Sequence, residues 1–112
     1  MLPVPDESIW IGVIRLVLFL PAARNKKDKR KTISKLRDRF KNRYNLSVAE
    51  VGHLENFHRA VIAICKIGND PRHLRSELDK RSQDAFSILD ARIDSHNITI
   101  SRFESSPSWN LQ

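Results

Sequence analysis

The apolar positions of this chain change period along its length, and the changes divide it into six elements. Residues 9–20, IWIGVIRLVLFL, are apolar at nearly every position apart from Arg15 and stop at Pro21. That pattern predicts a strand apolar on both faces, hence a central one. From Asn25 the period becomes helical, because Leu36, Phe40 and Tyr44 fall within about 60° of Ile33 on a wheel of about 100° per residue. Asn25 suits the cap position, accepting from the amide of Asp28, and Asp28 adds negative charge to the first turn. NLSVAEVG (45–52) reads as a short strand closed by Gly52, and HLENF as a polar connection. HRAVIAICKI (58–67) is a second strand apolar on both faces. GNDP then supplies a turn, a cap at Asp70 and Pro71 at the first helical position. Leu74, Leu78, Ala85, Leu89 and Ile93, with Phe86 alongside, continue at helical spacing and predict a second helix reaching Ile93. DSHN breaks it, and the alternation of ITISRFE (98–104) predicts the last strand.

The order β-α-β-β-α-β predicts an α+β, ferredoxin-like fold, a four-stranded antiparallel sheet with both helices on one face. Residues 9–104 form the single domain of this reading, with a tail at 1–8 and another at 105–112. One sheet face is then left open. Because both central strands are apolar on both sides, Val13, Val17, Phe19 and Val61 would face solvent in a monomer, which predicts self-association into a homodimer through the sheet.

Charge changes the picture more than composition does. The 112 residues carry a formal charge of +7. Residues 24–43, RNKKDKRKTISKLRDRFKNR, hold eleven Lys or Arg against two Asp, or +9, so the rest of the chain is at −2. The basicity is a local feature on a nearly neutral domain, which points to a surface that meets phosphate or another acidic partner. The single cysteine, Cys65, lies in an apolar run, cannot form an internal disulfide and suits a reducing cytoplasm. The longest apolar stretch, 12 residues with Arg15 inside it, falls short of the roughly 20 that span a bilayer. It follows Asp6 and Glu7 where a signal peptide needs positive charge. No membrane segment and a cytoplasmic location are therefore expected.

LPAARNKKDKR, SVAEVG, FHRA and ND occur in an order and spacing that resembles the YlxP-like family, small bacterial proteins of unknown function. The resemblance covers residues 11–104, with KDKR (27–30) and SVAEVG (47–52) matching without change. It implies a ferredoxin-like structure and, because the family's genes often sit among those for translation initiation and ribosome maturation, a link to RNA or the ribosome. The family pattern has Gly, Leu and Trp where this chain has Ala22, Lys26 and Phe57. Lys26 puts a charge at the edge of the helix stripe.

The residues themselves give the first helix its expected role. Arg24, Lys27, Lys29, Arg30, Lys31, Lys35, Arg39 and Lys41 are the candidate contacts to nucleic-acid phosphate, which give salt-dependent affinity with little sequence information. Lys29, four residues before Ile33, lies on the flank of the apolar stripe. Its methylenes could cover the core while the ammonium reaches water, or it could face a pocket at the helix start. No aromatic side chain is interleaved on the exposed side, so structured RNA read by shape fits better than single strands read by stacking. Glu50 shares a strand face with Leu46 and Val48, and Arg59 on the neighbouring strand is its expected partner in a structural ion pair. His53, Glu55 and His58 cluster in the connection, but three spaced polar residues there fit solvent exposure better than metal coordination. No nucleophile with an adjacent base, glycine-rich phosphate loop or ligand cluster stands out. The expectation is a non-enzymatic binding module without cofactor or metal.

Overall fold

A computed structural model describes residues 7–104. The predicted tails therefore lie outside the described residues except for Glu7 and Ser8. The first apolar run becomes β1 (Ile9–Phe19) and the basic segment α1 (Lys26–Tyr44). β2 (Ser47–Gly52), β3 (Arg59–Gly68), α2 (Pro71–Ile88) and β4 (Arg92–Phe103) follow. The strands pair antiparallel in the order β2-β3-β1-β4, so the two runs that are apolar on both faces occupy the centre, as expected of a ferredoxin-like sheet.

Alternation along the strands decides what each face does. Ile14, Leu16 and Leu18 of β1 and Ala60, Ile62 and Ile64 of β3 are fully buried, in one core with Ile33, Leu36 and Phe40 of α1 and Leu74, Leu78 and Ala85 of α2. Gly12 lies where α2 crosses β1. A Cβ there would meet Leu78 Cδ1 at 2.3 Å and Leu74 Cγ at 3.2 Å, so the missing side chain lets the helix approach.

Both helices begin where the capping residues place them. Asn25 Oδ1 accepts from the Asp28 amide at 2.9 Å, and Asp70 Oδ1 accepts from the amides of Arg72 and His73 at 2.9 and 3.4 Å. α1 closes on Asn45 in the left-handed region (φ 55), a conformation that asparagine tolerates better than most residues.

The last strand departs from the sequence reading. α2 stops at Ile88, Leu89 is already extended, and the strand starts at Arg92 instead of Ile98. Ile93 pairs with Leu18, and Asp94 is the extra residue of a bulge between the partners of Val17 and Leu18. DSHN is polar because β4 is an edge strand and because a bulge tolerates Asp, so local turn preference yields to the ladder with β1.

A candidate nucleic-acid interface on the first helix

The buried stripe of α1 consists of Lys29, Ile33, Leu36 and Phe40. Lys27, Lys31, Lys35 and Arg39 recur every fourth residue on the opposite side and are exposed, with Arg30 and Lys41 exposed on the flank. At about 1.5 Å rise per residue the four make a ladder about 18 Å long. None of these six cations has an ion-pair partner among the described residues. Arg24 is exposed but engaged: its amide and its Nε donate to Asp28 Oδ2 at 2.9 and 3.1 Å. Those bonds, with the fields of Arg24 and Lys31, hold the Asp28 carboxyl below its ordinary range.

Lys29 does not belong to this surface. The residue is 1% exposed, and its ammonium turns inward beneath the β2–β3 connection. It donates to the carbonyls of Asn56 at 2.6 Å, His53 at 3.0 Å and Arg59 at 3.3 Å, and lies 2.6 Å from Glu50 Oε2. Neither expected fate for Lys29 holds, because a carboxylate and several main-chain oxygens replace the water it would otherwise seek. The same geometry corrects the pairing expected between Glu50 and Arg59. Glu50 points to the helix side of the sheet, opposite Ile62, and meets Lys29, whereas Arg59 lies on the other face and pairs with Asp94 at 3.2 Å.

The connection is built around that ammonium. His53 adopts φ 55, the Asn56 amide donates to the His53 carbonyl at 3.0 Å, and Asn56 Oδ1 accepts from the His58 amide at 2.8 Å. Lys26 reaches Glu55 in an exposed ion pair that lowers the Glu55 pKa, so the charge at the edge of the stripe is spent on the same loop. His53, Glu55 and His58 do not combine into a metal-holding group, and none occurs among the described residues. These contacts fix the start of α1 against the sheet, and thereby the direction in which the cationic ladder faces.

The other sheet face carries Val13, Val17, Phe19 and Val61 together, with Val17 opposite Val61 and Val13 opposite Cys65. All four are half-buried, while Ile67 at the end of β3 is 67% exposed. Phe19 is covered by two arginines, with Arg59 Cζ 5.1 Å and Arg92 Cζ 4.7 Å from its ring centre. Asp94 bonds both guanidiniums, Arg92 more closely, and its pKa is lowered as a result. Sequence reasoning missed this cluster because it placed Arg92 and Ile93 at the end of a helix and Asp94 in the break after it. It missed the cage around Lys29 because carbonyls leave no signal in side-chain identity.

Among the described residues no helix is long and apolar enough to cross a membrane. No curated protein matches the chain. A family model described as a protein of unknown function, DUF503, matches residues 11–102, and the chain belongs to that family.

Proposed function

We propose that this protein is a non-enzymatic, cytoplasmic RNA-binding module, associated with the ribosome, whose contact surface is the outward side of α1. The observation that carries the reading is the ladder Lys27, Lys31, Lys35 and Arg39, exposed and without acid partners among the described residues. Like charges four residues apart on a helix destabilise it by about 0.2–0.5 kcal/mol per pair, and this ladder contains three such pairs in succession. A polyanion that neutralises the row offsets that repulsion and releases its own counterions. The ridge is convex and lacks exposed aromatic rings, which favours a folded RNA met through its backbone over a single strand threaded along stacking platforms. Resemblance to the YlxP-like proteins, with their genes among those of translation, supports the ribosome as the source of that RNA.

Binding to ribosomal RNA across a salt series tests the reading. Four phosphate contacts give a slope of log affinity against log salt of about −3 to −4. Reversing Lys27, Lys31 and Lys35 to Glu removes most of it. Affinity that ignores salt, or that survives the triple reversal, overturns the proposal.

A second reading is favoured by one observation, the row of Ile11, Val13, Val17, Val61 and Ile67 on the sheet face away from the helices. It pairs that face with a second copy of the chain. Light scattering checks it: a dimer that becomes a monomer on Val17→Glu supports it, and a wild-type monomer removes it.

A further inference from the structure

We propose that a second cationic site, concave where the ridge is convex, lies at the far end of α1 and holds a compact anion carrying two or more adjacent phosphates. The last turn of α1, the end of β3 and the first half of α2 enclose a cleft of about 710 Å³. That volume lies within the roughly 300–1,000 Å³ usual for small-ligand sites. Its lining brings Lys41, Arg43, Lys66, Lys80 and Arg81 together with a single acid, Glu77.

The acid is already used. Glu77 pairs with Lys66 inside the cleft, and Arg81 is held by Asp84 at 3.3 Å and by the face of Tyr44, 3.8 Å from its ring centre. Among the described residues Lys41, Arg43 and Lys80 keep no acid partner, although the two helices direct them to one concavity. Two carbonyls near the end of α1 are already engaged. The Lys41 and Phe40 carbonyls accept from the amides of Asn45 and Leu46, both at 3.2 Å. Several cations converging without counter-charge repel one another, and a multiply charged ligand small enough to touch all of them removes the repulsion. An extended strand suits a ridge, and a compact group suits a cleft. Adjacent phosphates occur both in a free nucleotide and at the 5′ end of a primary transcript.

Titration of the ¹⁵N-labelled full chain with inorganic pyrophosphate tests the site. We expect saturable shifts of amides at 41–45, 66 and 73–81, and a loss of about tenfold in affinity for Lys80→Glu or Arg43→Glu, the change one charge-assisted contact carries. Lys27→Glu/Lys31→Glu/Lys35→Glu leaves pyrophosphate binding intact, so failure of the ridge as an RNA surface and failure of the cleft are read separately. Competition then names the source. Displacement by a nucleoside triphosphate alone assigns a free nucleotide, and displacement by 5′-triphosphate RNA but not its 5′-hydroxyl form assigns an RNA end. Non-saturating shifts, shifts confined to residues 27–39, or unchanged affinity in Lys80→Glu and Arg43→Glu overturn the proposal.

Discussion

Lys29 and Lys31 stand two residues apart on one helix and have opposite surroundings. Lys29 is enclosed by Glu50 and the carbonyls of the β2–β3 connection, whereas Lys31 is exposed and has no ion pair among the described residues. Residue type and helix are shared, so the difference comes from what lies across from each side chain. About 200° of helical rotation carries Lys29 into a loop folded around it and Lys31 out to solvent. A cation in this protein is structural where the fold supplies oxygens and free for a partner where it does not.

Removing the inner cation gives the largest effect. Lys29→Met leaves the Glu50 carboxylate and the turned-in carbonyls without their donor, and breaking a buried pair from one side costs about 3–5 kcal/mol. Chemical denaturation should show that loss, and hydrogen exchange should show residues 53–59 opening first. Glu50→Gln keeps the ammonium and its carbonyls and removes only the charge partner. Its expected loss is smaller, about 1.5–3 kcal/mol, the range for hydrogen bonds to charged groups. If Lys29→Met denatures with the wild type, the contrast between the two lysines fails.

The comparison also marks where the sequence was legible. Period and caps identified β1, α1, β3 and the start of α2, because Asn25, Asp70 and Pro71 act within a few residues of themselves and the stripe of Ile33, Leu36 and Phe40 is local. The exposed members of the cationic row were legible for the same reason. Lys29 was not, since its partners lie 21 residues or more away and most are main-chain oxygens. The start of β4 was hidden because Ile93 continues a helical spacing by accident while its true neighbour, Leu18, is on another strand. The cleft at the far end of α1 draws Lys66 and Lys80 from separate elements and has no pattern of its own in the chain.

Exposed acids sharpen the contrast further, with a weaker effect than the buried pair. Arg24 lowers the pKa of Asp28, Lys26 that of Glu55, and Arg92 with Arg59 that of Asp94. A carboxyl with a folded pKa below its unfolded one contributes stability above the unfolded value, and that contribution disappears as pH falls through the folded one. The urea midpoint should therefore decline on acidification below the ordinary carboxylate range. Glu55→Gln and Asp94→Asn should each flatten that decline slightly, because solvent screens all three pairs. A variant that steepens it would show that these acids are not stabilised by their cations.

The smallest effect on stability has the opposite sign. Replacing Lys31 by Gln removes two like-charge contacts, with Lys27 and Lys35, against one attraction, to Asp28, and keeps a good helix former in place, so the protein should gain roughly 0.3 kcal/mol. If the ladder serves a polyanion, the same change should weaken RNA binding and reduce the salt slope by about 1. Stability and binding then move in opposite directions at one exposed residue, while at Lys29 stability falls and any loss of binding follows from the helix losing its anchor. Urea denaturation and a salt series on Lys31→Gln decide the matter: a variant both less stable and unchanged in binding would mean that Lys31 supports the helix, and would take the ridge out of the RNA surface.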